Sequence, residues 1–415
     1  MNPVDTNVAI VGGGIVGISI GLACLDRGLT VALYDPGDAR RRASYGNAGA
    51  ISRGSIFPVA SPLIKNGLWQ YAINRSPGLF IDYASIHRIW PWMFRFLLSS
   101  NTSAWRRAAK MLDPFVASAF AEHERLASLC GASHLLALDG WMKLFRTPES
   151  FAASQLERDI LGEYDIAVDI LGGADIRALE PALKRTFAAG ILFPQTGHVR
   201  DPGALLEAYE TLFVERGGRR LMMNVDAITN QDDGCTIEAA TPMRAGKVVL
   251  AAGAWSDGIA RRLGYRFPMA AERGYHRHFT VGEGPKLTRT IYDVGGAYVA
   301  APMNQGIRIL SGIELAPRDA PPRTAQLDHA VREARSTLDL GGPVENEPWV
   351  GARPSTPDGL PIIGWAPRHP NLLFAFGHGH IGLSTGPVTG QIVADLLIRR
   401  TPAIPVSGFA PDRFL

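Results

Sequence analysis

Cysteine is scarce in this chain: three in 415 residues, at positions 24, 130 and 235, far apart and odd in number. That argues against a disulfide framework. With no C-x-x-C pair it also argues against a structural zinc site, so no metal centre is expected and a reducing compartment is the default. Excess charge is lacking too. Lys and Arg total 42 against 39 Asp and Glu, a net charge of +3, which is too small to imply nucleic acid. The basic run Arg40-Arg41-Arg42 stands alone. Lysines are few beside arginines, and none follows Lys286. Low-complexity linkers and internal repeats are absent. The run from Val8 to Leu25 lacks charge altogether and is long enough to cross a membrane. Its clustered glycines, however, would weaken a helix interior. It has no basic leader and no small-residue cleavage site, so it does not read as a signal peptide.

What that run does contain is a βαβ dinucleotide fingerprint. The apolar stretch Val8–Val11 ends in Gly12-x-Gly14-x-x-Gly17, an apolar helical pattern follows to Arg27, and a second apolar run, Thr30 to Tyr34, ends on Asp35. In such a unit Gly12 allows the tight turn, Gly14 admits a pyrophosphate to the backbone, and Gly17 lets the helix pack against the strand. The helix N-terminus, with Ile15 and Val16, offers free N–H groups to the phosphates. Asp35 stands where a carboxylate takes ribose hydroxyls. The triplet Arg40-Arg41-Arg42 has two readings, a solvated loop or a phosphate contact, and Arg42 is its candidate cofactor residue.

Downstream, Ala43 to Ser52 is a loop of small residues suited to lie against a flat ligand. Residues 56–100 crowd Trp69, Tyr71, Phe80, Tyr83, Trp90, Trp92, Phe94 and Phe96 with Arg75, Arg88 and Arg95. This is either a set of helices packed on the protein or a peripheral contact with the inner face of the membrane by an otherwise cytoplasmic protein. An amphipathic helix is expected over 104–130, a strand over 140–146, and helices over 149–162 and 173–180. Asp201-Pro202 should cap a helix running to about Arg216. Lys247 to Ala252 reads as a buried strand ending on Gly253. From Tyr275 to Ile313 the pattern is β; Arg323 to Leu340 is helical. The chain closes with Trp349-Val350-Gly351-Ala352-Arg353-Pro354, a strand over Leu372–Phe376, the turn Gly377-His378-Gly379-His380-Ile381-Gly382-Leu383-Ser384, and a last helix. Cofactor-type signals at the start, middle and end predict domains built from separated segments: 1–55, 199–266 and 349–415 in one, 56–198 and 267–348 in the other.

With these motifs in place, the chain resembles the D-amino-acid oxidase superfamily of FAD enzymes, and most of all bacterial D-amino acid dehydrogenases. The resemblance covers nearly the whole chain. It implies an α/β (α+β) fold, a Rossmann-like FAD domain with a substrate domain built on a mixed sheet and helices. It implies oxidation of a Cα–N bond by hydride transfer to flavin N5, the imine then hydrolysing to a 2-oxo acid and ammonia. Arg353 corresponds to the arginine that holds the substrate carboxylate; His380 stands where some oxidases carry a second arginine. Tyr275, His276 and Tyr298 are strand residues that can line the pocket. The FAD contacts expected are Gly12, Gly14, Ile15, Val16, Gly17, Asp35, Arg42, Ser44, Asn47, Ala48, Gly49, Val225, Ala252, Gly253 and the turn from Gly377 to Ser384. An arginine suits the anchor because its planar fork makes two parallel charge-assisted bonds to a carboxylate.

Four functions remain open on sequence. The first is a dehydrogenase passing electrons to a quinone or another protein. The second is an oxidase of glycine, sarcosine or a cyclic imino acid such as D-proline, using O₂. The third is a flavin-bearing subunit that only relays electrons. The fourth is an NAD-dependent dehydrogenase, against which the second and third cofactor motifs speak. Some oxidases place a lysine near the flavin, and the lack of lysine after Lys286 favours the dehydrogenase.

Overall fold

The computed structural model describes residues 5–415. Its first large sheet is built on Thr6–Val11, which pairs in parallel with Val31–Tyr34 on one side and Met243–Leu250 on the other. Val8 to Val11 and Val31 to Tyr34 are buried throughout, the pattern of central parallel strands covered on both faces. Arg219–Leu221 and His369–Phe376 extend the sheet in parallel at either side. Val225–Gln231, Gly234–Ala239 and Ile362–Ala366 pair antiparallel. Segments from the start, middle and end of the chain therefore meet in one sheet, as the three cofactor-type motifs require.

Helix Ile15–Asp26 packs between Pro202–Glu215 and Gly382–Leu397. A β-carbon at Gly390 would stand 2.5 Å from the Ser19 carbonyl oxygen, so the first and last helices cross backbone to backbone. The Asp201 carboxylate accepts from the Ala204 N–H at 3.0 Å, with Pro202 in the first turn, the cap the sequence predicts.

The second sheet has Ala270–Val281 as its spine. That strand pairs antiparallel with Gly306–Leu310, Ile313–Leu315, Leu340–Pro343 and Trp349–Ser355. Tyr298–Met303 and Thr290–Asp293 carry the sheet on to Trp141–Phe145, Ala189–Phe193 and Asp169–Gly172; Leu79–Ile81 closes the other edge. By strand pairing, the boundary expected at 349 falls after Ser355. Trp349–Ser355 belongs to the second sheet, because its small and apolar residues suit either sheet and only register against Ala270–Ser355 partners decides between them.

The helix expected over 104–130 is two, Thr102–Ala117 and Ala119–Leu129. Ser118 at the break donates its hydroxyl back to the Pro114 carbonyl at 3.2 Å, a competitor for the helical ladder. Residues 149–162 likewise divide into Pro148–Ala152 and Gln155–Glu163. In 56–100 the main element is Ile86–Ser99. It buries Ile89 and Trp92 and exposes Trp90, Phe94 and Leu98. No helix of the described residues is long and apolar enough to cross a membrane.

Candidate active site

A cavity of about 510 Å³ runs between the two sheets, from Asp35 past the Gly12–Val16 turn and Ala251–Trp255 to Arg353 and His380. Gly12 has φ +114°, and a β-carbon there would lie 2.4 Å from the Ala251 oxygen. At Gly17 an added β-carbon would stand 1.8 Å from the Gly12 oxygen, which fixes how closely the helix approaches its own loop. Gly14 has open space, its nearest neighbour being the Ser44 hydroxyl at 4.0 Å. These are the three roles expected of the fingerprint.

Asp35 accepts from the Gly13 N–H at 2.7 Å and the Gly37 N–H at 2.9 Å. Arg42 lies 2.9 Å from Asp35 and 2.5 Å from Glu210, and Arg220 holds the other Glu210 oxygen at 3.1 Å. Neither sequence reading of Arg42 describes this. Its guanidinium is buried between two carboxylates, so it orients Asp35 rather than reaching freely for a phosphate. Arg41, its exposed neighbour, lies with Arg318 against the Trp255 ring at the cavity wall, 5.3 and 4.8 Å from the centroid.

At the far end, the Gly379 N–H donates to the Pro354 carbonyl at 2.8 Å, and Ser355 bridges His378. The end of one strand and the final turn are thereby joined, and Arg353 and His380 come to the same wall. Arg353 has no hydrogen-bond or ion-pair partner among the described residues. Burial lowers its pKa, opposed by the nearby charge of Glu272. Glu272 stands opposite Arg353 in register and accepts from the Ser355 hydroxyl at 2.7 Å. Burial raises its pKa, and Arg353 pulls it back. His380 is exposed to the cavity, within a recess that desolvates its ring. That setting, with the charge of Arg353, brings its pKa down to about 4. His378 also lines the cavity but packs structurally, its Nε2 3.0 Å from the Thr389 hydroxyl.

The N-terminus of Gly382–Leu397 reaches the cavity through Gly382 and Leu383. Pro387 cannot give the Leu383 carbonyl its usual helical N–H. His123 Nε2 supplies that donor at 2.8 Å, while its Nδ1 meets the Tyr209 hydroxyl at 3.0 Å. A second helix N-terminus is thus held at the cavity by a buried side chain from another element.

Of the other expected residues, Ile15, Val16, Ser44, Asn47, Val225, Ala252 and Gly253 line the cavity. Ala48, Gly49, Gly377, Ile381 and Ser384 do not. Gly49 packs on Val199, where its neighbour strand Ala50–Ile51 pairs with Gly197–Val199, and the Ser384 hydroxyl is spent on the Ala50 carbonyl. Tyr275 and Tyr298, expected at the pocket, do not line the cavity. Alternation along Ala270–Val281 puts Glu272, Gly274 and His276 on one face and Arg273 and Tyr275 on the other. Tyr275 donates to Glu314, which Arg273 also pairs with at 3.2 Å. Tyr298 is buried in the cluster of Met142, Leu144 and Ile291. His276 is on the favourable face but stacks on the Trp349 ring at 4.8 Å, and it is Trp349 that lines the cavity. Sequence reasoning gave no role to Trp255, Trp349 or Arg318, although both tryptophans lie inside the motifs that marked the site.

The lining fits a dinucleotide carrying a flat ring. There is a carboxylate at one end, two helix N-termini along the length, and small residues at Ser44, Gly46 and Ala251 to Gly253. Known proteins agree. Over its full length the chain is 31% identical to a D-amino-acid oxidase of Bradyrhizobium diazoefficiens, covering 100% of both. It is 30% identical to a D-amino acid dehydrogenase of Methylobacterium sp. (strain 4-46), covering 98% of this chain and 99% of the relative. The crystal structure of glycine oxidase from Geobacillus kaustophilus matches with a TM-score of 0.76 at 23% identity, over 99% of both chains. Residues 7–396 match the family described as FAD dependent oxidoreductase, and the chain belongs to that family.

Proposed function

We propose that the protein oxidises the Cα–N bond of a D-amino or imino acid, releasing a 2-oxo acid and ammonia after hydrolysis, and passes the electrons to a quinone or protein acceptor. The observation that carries this is Arg353, a guanidinium without a partner among the described residues, opening onto the cavity at the end opposite Asp35. A charged group this buried is stable when it meets an anion, and its fork suits a carboxylate. FAD, when bound, supplies the hydride acceptor.

The chain's own contribution is placement. Gly12 to Val16 and Asp35 would hold the pyrophosphate and ribose, and Ala252, Gly253, Gly46 and Asn47 would lie along the ring system. Arg353 fixes the substrate carboxylate and so the direction of the Cα–H bond. His380, neutral above about pH 4, can accept or donate a hydrogen bond without placing a second cation beside Arg353. The helix N-terminus at Gly382 would favour negative charge on a bound ring. An unpartnered Arg353 argues against a subunit that only relays electrons.

No lysine of the described residues lines the cavity, which favours a dehydrogenase over an oxidase reading. The exposed face of Ile86–Ser99, with Trp90, Phe94 and Leu98, supports peripheral contact with a membrane that holds the acceptor. The deciding experiment is a screen of D- and L-amino acids, prolines and N-methyl amino acids on purified protein, with a dye and separately with O₂. Flavin absorbance should bleach with D-substrates and turnover should need the dye. Oxidation of L-amino acids only, or full turnover on O₂ alone, would overturn the corresponding half of the proposal.

A further inference from the structure

The turn from Ser44 to Asn47 lines the cavity and touches each part of it. The Ser44 hydroxyl faces the Ile15 N–H at 3.4 Å, and Asn47 Nδ2 reaches the His380 carbonyl at 3.5 Å. The Trp349 ring lies so close to Gly46 that a β-carbon there would be 2.0 Å from it. What fixes this turn is a buried arginine from the second sheet. Arg308, on Gly306–Leu310, is 2% exposed. Its Nη1 donates to the carbonyls of Tyr45 at 3.2 Å and Asn47 at 2.5 Å, and its Nε donates to His278 Nε2 at 2.9 Å. No carboxylate of the described residues pairs with it directly.

These contacts settle the histidine tautomer. Arginine is always a donor, so His278 Nε2 is an acceptor and the proton sits on Nδ1, where it is given to the Glu345 carboxylate. Glu345 also takes the His278 backbone N–H at 3.0 Å. The order is Glu345, His278, Arg308, then the two carbonyls of the turn. A buried guanidinium without a direct counter-ion costs desolvation that an apolar residue would avoid. Packing alone therefore does not account for it.

We propose that Arg308, oriented by His278 and Glu345, is a positioning residue for the cofactor: it sets the Tyr45–Asn47 turn at the height at which FAD can seat. This rests on the flavin reading above.

The arrangement is sensitive to acid. Arg308, Glu345, Asp201 and the His276 ring, 5.1 Å away, are the charged and titratable groups facing His278. Burial and then Arg308 lower the His278 pKa, with Glu345 and Asp201 opposing. A proton on Nε2 would set donor against donor. The contribution of this chain of bonds is thus complete above the ordinary imidazole range and is lost as pH falls through the lowered value.

The test is FAD binding to apo-protein, read from quenching of flavin fluorescence, with the apo-protein's Tm measured alongside. Arg308→Lys cannot reach His278 and both carbonyls at once. It should weaken FAD binding by roughly tenfold or more at about pH 8, with apo Tm little changed. His278→Gln can accept from Arg308 and donate to Glu345. It should bind FAD nearly as wild type does at that pH and lose less affinity on acidification to about pH 5.5. Unchanged binding by Arg308→Lys, or an acid response in His278→Gln equal to that of wild type, would overturn the proposal. If Arg308→Lys does not fold, the His278→Gln comparison decides. Wild-type protein that bound no FAD at any pH would remove the flavin reading as well; binding by wild type with indifferent variants removes only this one.

Discussion

The guanidinium of Arg353 lies directly over Gly274: a β-carbon at 274 would stand 2.6 Å from both Nη1 and Nη2. The two strands run antiparallel with Gly274 opposite Gly351, and the missing side chains leave the slot that Arg353 fills. Gly274→Ala should push the guanidinium toward the cavity. We expect KM for the best amino acid to rise by roughly tenfold or more, because misplacing an orienting group by an ångström is costly. Flavin content, read from the absorbance ratio, should stay normal.

Replacing Arg353 itself should do more. Each charge-assisted hydrogen bond to a carboxylate contributes roughly 1.5–3 kcal/mol. Arg353→Met should therefore lower kcat/KM by roughly two to four orders of magnitude, and Arg353→Lys should recover only part of it. An amine without a carboxylate should be oxidised equally by wild type and Arg353→Met. Wild-type kcat/KM in Arg353→Met would place the anchor elsewhere.

Asp35 carries two backbone N–H groups and Arg42. Asp35→Ala leaves those donors unsatisfied and Arg42 beside Glu210 alone. Stability should fall by about 2–4 kcal/mol, and the protein should be purified with little flavin. Asp35→Asn should sit between the two. A colour and melting curve like those of wild type would show that neither the cofactor nor the loop depends on this carboxylate.

His123 gives a pH signature. Burial lowers its pKa to about 4, opposed by the backbone carbonyl of Leu383. The folded state binds the proton more weakly than the unfolded chain does. Its contribution is therefore full above the ordinary value near 6.5 and is lost as pH falls toward 4. Denaturant unfolding between pH 7 and about 4.5 should show a loss that His123→Leu shares much less. The variant should start from lower stability, since the Leu383 carbonyl and Tyr209 hydroxyl lose their partner.

The exposed stripe Trp90, Phe94 and Leu98 yields a separate expectation. Wild type should sediment with vesicles containing anionic lipid, and Trp90→Glu with Phe94→Glu should abolish this while dye-linked activity persists. Equal sedimentation of both proteins would argue that the face does not meet lipid.

The fingerprint was legible because each glycine has a steric task that no other residue can perform, and a strand, a helix and an acid surround it. The capped start of Pro202–Glu215 was legible for a similar local reason. Tyr275 and Tyr298 were misplaced because strand periodicity says that neighbours alternate but not which set faces the cavity. Arg42 was misjudged because its partner Glu210 stands far along the chain, where only the fold brings it close. The strand Trp349–Ser355 was recognised for its arginine, yet its sheet was not, since residue type does not distinguish the two sheets.

The parallel strands of the first sheet come from residues 6–34, 219–250 and 369–376. That layout has a consequence for synthesis. The glycine fingerprint is synthesised well before the wall holding Arg353 and His380, which follows more than three hundred residues later. Loop closure over such separations is slow. An emerging chain must therefore wait for Met243–Leu250 before the Val8–Val11 strand has both its partners, and for His369–Phe376 before Met243–Leu250 has its own. Uptake of cofactor is then a late event, and a chain shortened before Leu372 would carry the complete fingerprint without a site to use it.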